Sequence, residues 1–152
     1  MPAKRGKGGK RRLSGTAVGR IGEAFLEELL LGEGYECFVP TVDAGVDFLA
    51  YRHAGDPPLR IQAKARSADQ NFLWDIKTGQ SNFVGEPTHF FFMHGSPPTD
   101  NYWLVPGPIV RKVWRSIPKG KRVILTKAAR ELFQPFKKEA GFRAARTWQS
   151  ED

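Results

Sequence analysis

Residues 43–66 read DAGVDFLAYRHAGDPPLRIQAKAR, and their pattern decides how the chain folds. Val46 to Tyr51 and Leu59 to Arg66 have strand composition, and the run His53-Ala54-Gly55-Asp56-Pro57-Pro58 between them is made of turn formers. Side chains alternate along a strand, so Leu59, Ile61, Ala63 and Ala65 face one way and Arg60, Gln62, Lys64 and Arg66 the other. In the preceding strand Val46, Phe48 and Ala50 oppose Asp47, Leu49 and Tyr51, and an adjacent strand brings Asp47 beside Gln62. An acid, an amide and a lysine thus converge on one patch of sheet.

Outward from this hairpin the elements are regular. Ser14 or Thr16 caps a helix to about Leu31, with Val18, Ile21, Phe25 and Leu29 on one stripe and Leu26 and Leu30 widening it; Gly32 and Gly34 stop it. Gly19 and Gly22 each cost this helix on the order of 1 kcal/mol relative to Ala, which points to a close approach by a sheet or a nucleic-acid backbone. Tyr35 to Val39 forms a first strand. Downstream, Thr88 to Met93 (THFFFM) and Tyr102 to Val105 (YWLV) are two more strands, separated by Gly95-Ser96-Pro97-Pro98. Phe72-Leu73-Trp74 fits either class. A short helix follows Pro108, and Thr126 caps a second long helix through Lys137 with Ala129, Leu132, Phe133 and Phe136 on its apolar face.

The length of 152 residues suits one domain, and 40% hydrophobic with 12% aromatic residues is a globular composition. The formal charge is +8, of which Lys4, Arg5, Lys7, Lys10, Arg11 and Arg12 supply six with no acid among the first twelve residues, leaving +2 for the rest. A Gly-rich basic arm before a near-balanced domain suits an accessory contact with a polyanion, or a solvated tail. The single cysteine, Cys37, has no internal disulfide partner. With no signal-peptide core and no apolar run of membrane-spanning length, the expectation is a soluble, intracellular, cytoplasmic protein with no membrane partner.

An Asp carboxylate and a Gln carbonyl are hard oxygen ligands for Mg²⁺. A lysine beside them adds positive charge where phosphodiester hydrolysis accumulates negative charge, and can orient or deprotonate the attacking water. Singly, each residue is ordinary: an Asp ends a strand, and a Gln-x-Lys pair lies on a wet sheet face. Their joint spacing is more specific. His53, His89 and His94 stand at no metal-ligand spacing with one another or with Cys37, and neither GxxxxGK[ST] nor GxSxG occurs.

The constellation resembles the PD-(D/E)xK nuclease superfamily, restriction-endonuclease-like and Holliday-junction-resolvase-like, over residues 16 to 66. The matching stretches are GRIGEAF with Glu23, AGVDFLA with Asp47 and IQAKAR with Gln62 and Lys64. Gln62 stands where the family more often has Glu or Asp, a QxK variant that occurs in active branches, and Pro40 with Asp43 is a poor literal proline-aspartate pair. The resemblance implies an α/β fold, a mixed central sheet flanked by helices, with an αβββ core, further strands and a C-terminal helix. It implies a single nuclease-like domain over 14–140 between a flexible basic arm at 1–13 and a tail at 141–152. It also implies Mg²⁺ or Mn²⁺ held by Asp47, Gln62 and Glu23, Lys64 assisting, and a homodimer; Glu23 suits equally a helix that solvates itself through Glu27 and Glu28. Arg20 and Arg66 join the arm as nucleic-acid contacts.

Two functions compete. One is a metal-dependent endonuclease cutting DNA, including junction or branched DNA; the other is a catalytically inactive nucleic-acid-binding module of the same fold. A protein-interaction subunit using Phe90, Phe91, Phe92, Trp103 and Trp114 is a weaker third, because alternating aromatics usually fill a core.

Overall fold

A computed structural model describes residues 13–41, 45–78 and 85–148. The basic arm to Arg12 and Asp43 lie outside the described residues. Helix α1 (Gly15–Gly32) begins where the Ser14 hydroxyl accepts a hydrogen bond from the Ala17 amide at 3.2 Å. It ends at Glu33, with Gly34 at φ +87° in the left-handed region. Its buried residues, Val18, Gly22, Leu26 and Leu30, recur every fourth position along one stripe.

Strands β1 (Glu36–Phe38), β2 (Phe48–Tyr51) and β3 (Leu59–Arg66) form an antiparallel meander. The chain then leaves through β4 (Leu73–Lys77) and returns as β5 (His89–His94), parallel to β3, before β6 (Tyr102–Pro106) pairs antiparallel with β5. The main sheet is therefore mixed, in the order β1-β2-β3-β5-β6. Every residue of β5 is buried, as the unbroken run HFFFMH requires of a strand covered on both faces.

One face packs beneath α1 and the C-terminal helix α4 (Glu139–Arg146), with Leu26, Leu30, Phe48, Ile61, Phe91, Leu104 and Phe142 in its core. A Cβ built on Gly22 would lie 2.7 Å from the Ala65 Cβ, so the glycine lets α1 touch β3; the expected close approach holds there, whereas Gly19 faces open space. The opposite face is covered by a second antiparallel sheet of β4, β7 (Arg115–Ile117) and β8 (Gly120–Ile124), in the order β4-β8-β7. Helices α2 (Gly107–Val113) and α3 (Lys127–Phe133) complete this layer, whose core joins Phe90, Phe92, Trp103 and Val105 to Trp74, Val123 and Phe133. The architecture is thus α/β, a mixed central sheet flanked by four helices.

Three expectations change. Residues 72–74, which fitted either class, lead into strand β4, where Trp74 and Ile76 point inward and Asp75 and Lys77 outward. The long helix through Lys137 is shorter: the Thr126 hydroxyl does cap it, accepting from the Ala129 amide at 3.2 Å, but α3 stops at Phe133. Pro135 has no N–H to continue the ladder, the chain tightens into a 3₁₀ turn at Gln134–Phe136, and Leu132 is 38% exposed. Last, α4 carries helix into the stretch after residue 140, with Phe142 and Ala145 in the core. Among the described residues no helix is long and apolar enough to cross a membrane.

Candidate functional site

The geometry starts where β2 begins. Phe48 stands opposite Ile61 in the ladder, and the Asp47 amide donates to the Ile61 carbonyl at 2.8 Å. One step further along β3, the Ala63 amide points to the same side, and it donates to Asp47 Oδ2 at 2.7 Å. The carboxylate therefore takes the place of a backbone acceptor at the point where β2 stops pairing, satisfying an amide that the ladder would otherwise leave bare. That bond ties Asp47 to β3 between the residues of interest.

Strand alternation fixes the faces. Phe48 and Ile61 belong to the core beneath α1, so Asp47 and Gln62 project on the other side. Gln62 stands in register with Phe90, and Lys64 with Phe92, on the face covered further along by the second sheet. Gln62 is 6% exposed. Lys64 is half-buried. The structure thus brings Asp47, Gln62 and Lys64 to one face of β2 and β3.

Glu23 arrives differently. It follows Gly22, which abuts Ala65, so Glu23 stands at the Lys64 end of β3 on the helix that covers the opposite face. It is half-buried, and Arg20 is exposed on the same helix. Arg66 is half-buried with its Nε enclosed and unpaired among the described residues.

A residue outside the sequence candidates borders this face. Asp75 on β4 accepts from Arg122 Nε at 2.7 Å and from Nη2 at 3.1 Å. These bonds hold its carboxyl below the usual carboxylate range against a smaller opposing cost of burial, and the charges of Arg66 and Lys64 add to the lowering. Its signal in the sequence is the alternation Leu73-Trp74-Asp75-Ile76-Lys77, which continues the ambiguous Phe72-Leu73-Trp74. Two of the histidines are held by local contacts: His94 Nε2 meets the Gln70 carbonyl at 2.7 Å and its ring stacks on Phe72, while His89 Nδ1 meets the Thr88 hydroxyl at 3.0 Å.

Among the described residues no three His, Cys, Asp or Glu side chains group as a metal site. Asp47 and the neutral Gln62 carbonyl are the oxygens that this face offers a divalent ion. The donor set is compatible with a hard ion that keeps several waters: one oriented carboxylate and one buried amide on the same face.

No family model and no curated protein matches the sequence. Among solved structures, the Holliday junction resolvase Hjc of the archaeal hyperthermophile Archaeoglobus fulgidus superposes with a TM-score of 0.56 at 14% identity, covering 86% of this chain and 98% of that one. The bacterial homing endonuclease I-Ssp6803I matches at a TM-score of 0.48 and 10% identity, over 90% of this chain and 100% of that one. At these identities the likeness is one of fold, and the first match carries it. The mixed sheet, its helical flanks and that superposition together give this chain the restriction-endonuclease-like fold of the Hjc resolvase.

Proposed function

We propose that this chain is an intracellular, divalent-metal-dependent endonuclease that hydrolyses DNA phosphodiester bonds, with branched or junction DNA as its preferred substrate. The observation that carries the proposal is the Asp47 carboxylate held by the Ala63 amide on the face of Gln62 and Lys64. The shared fold with a Holliday junction resolvase supports it.

Asp47 and Gln62 are the residues that would hold Mg²⁺ or Mn²⁺, and Glu23 would have to join them past the Lys64 end of β3 from the helix on the opposite face. When bound, such an ion supplies charge neutralisation at the scissile phosphate and a more acidic water. Asp47 contributes a carboxylate whose orientation is set by a backbone donor, so little is lost in ordering it. Gln62 contributes an oxygen without charge, which weakens ion binding relative to a carboxylate and increases the reliance on Glu23. The Lys64 ammonium places fixed positive charge beside the developing negative charge and orients the attacking water. A homodimer would supply one site to each strand of a duplex or junction, and the basic arm would add phosphate contacts.

The neutral Gln62 and the lack of a three-acid group among the described residues favour one second reading, a module that binds DNA without cutting it. Incubation with supercoiled plasmid and with a four-way junction, in Mg²⁺, Mn²⁺ or EDTA, separates the two. Cleavage that needs the ion, and that Asp47→Asn loses in Mg²⁺ and partly regains in Mn²⁺, supports the nuclease. Binding without cleavage under every condition supports the module.

A further inference from the structure

Residues 111–130, RKVWRSIPKGKRVILTKAAR, hold eight lysines and arginines and no acid. Outside this segment and the arm, ten basic residues face sixteen acids, so the near-neutral sum of the domain conceals a strong segregation of charge. The segment runs from the end of α2 through β7 and β8 into α3, and Arg111, Lys112, Arg115, Lys119, Lys127 and Arg130 are all exposed.

The arrangement is costly for stability alone. Arg115 stands directly opposite Arg122 in the β7–β8 ladder, where like charges repel, and Asp75 is the single acid in that row. Lys121 turns inward to the Ser116 hydroxyl at 2.8 Å and over the Trp114 ring, leaving the outer face to the arginines. Two contacts then lead from the segment to the Lys64 end of β3. Arg122 grips Asp75, whose carboxyl is within electrostatic reach of Arg66 and Lys64. Arg130 lies 4.9 Å over the Phe72 ring, which stacks on His94, the register partner of Arg66.

We infer that the outer face of the second sheet, with the flanking ends of α2 and α3, is a phosphate-binding surface that holds duplex DNA and leads it across β4 to the candidate site. A nucleic-acid backbone supplies the repeated, fixed negative charge that a basic face matches when its one acid in the Arg115–Arg122 row, Asp75, is already taken up by Arg122. The inference rests on the proposed nuclease site but predicts a separate result, because binding is measured without metal and without cleavage.

The test uses the whole chain in EDTA, with a fluorescein-labelled DNA duplex and fluorescence anisotropy over a salt series. Arg115→Ala, Lys119→Ala and Lys127→Ala combined remove three exposed cations that make none of the observed hydrogen bonds. Each lost contact lowers the slope of log affinity against log salt by about 0.9, so the triple variant should lose about 2.7 and the fold-neutral single Lys119→Ala about 0.9. Arg143→Ala, exposed on α4 beyond the opposite face, should lose much less than one contact. A triple variant with the wild-type slope overturns the surface and leaves the nuclease proposal standing. Wild-type protein without salt-sensitive DNA binding overturns both. If phosphatidylserine vesicles are held through the same three residues and duplex DNA is not, the surface serves lipid headgroups and the inference fails.

Discussion

Strands β3 and β5 lie side by side in parallel register, yet they carry opposite chemistry on the same face. Gln62, Lys64 and Arg66 of β3 stand beside Phe90, Phe92 and His94 of β5. Phe90 and Phe92 are buried against Trp74, Trp103, Val123 and Phe133, whereas no β3 side chain belongs to that cluster among the described residues. The difference lies in the cover. The second sheet ends at β4, its edge strand, and where it ends the face of the main sheet changes from core to polar patch. A three-stranded layer thus does two things: it closes one half of the face and frames the other.

The comparison can be broken most forcefully at Phe92. Replacing it by Ala empties a fully buried site and should cost about 3–5 kcal/mol in urea unfolding. A loss below about 1 kcal/mol would mean that the second sheet does not seal this half of the face.

The next effect is set by pH and by the start of β5. His89 is 1% exposed, with Nε2 unpaired among the described residues, and burial lowers its pKa from 6.5 to about 4. Above pH 6.5 both folded and unfolded forms are neutral and the stability is complete. As pH falls from 6.5 toward 4 the unfolded chain takes up a proton that the folded chain refuses, and stability declines by at most about 1.4 kcal/mol per pH unit. Urea midpoints measured across that window, with His89→Gln as the reference, should converge at acid pH; parallel curves would contradict the burial of a neutral ring.

The smallest stability effect belongs to the polar half. Gln62→Leu turns β3 toward the chemistry of β5, replaces a buried amide by an apolar side chain of similar size, and should change stability by less than about 1 kcal/mol in either direction. The same variant should abolish metal-dependent cleavage. A large destabilisation would show that Gln62 is held by structure and not kept for a ligand.

Much of this was legible before folding. Helix α1, the β2–β3 hairpin and β5 carry strong periods or unbroken apolar runs, so local pattern and tertiary demand agree. The second sheet was not legible, because its strands bury little: β7 is three residues with none buried, β8 buries only Val123 between Lys, Arg and Gly, and β4 alternates over just five residues. The basic run 111–130 was in plain view yet hidden by the summed charge, since the acids that balance it lie elsewhere in the chain. Within the site, alternation gave the common face of Asp47, Gln62 and Lys64. The bond from Ala63 to Asp47 was illegible, because it depends on where β2 stops pairing. So was the side from which Glu23 arrives, which is set by how α1 packs at Gly22.

The central claim is that the polar row of β3 is kept for chemistry and not for stability, and Lys64 tests it most directly. Lys64→Ala should unfold at nearly the wild-type urea concentration and bind DNA in EDTA with nearly wild-type affinity. In saturating Mg²⁺ or Mn²⁺ it should cleave junction DNA about 10²-fold more slowly, the usual effect of removing one preorganised charge beside the reacting atoms. A Lys64→Ala protein that cleaves at the wild-type rate across the metal titration would contradict the account.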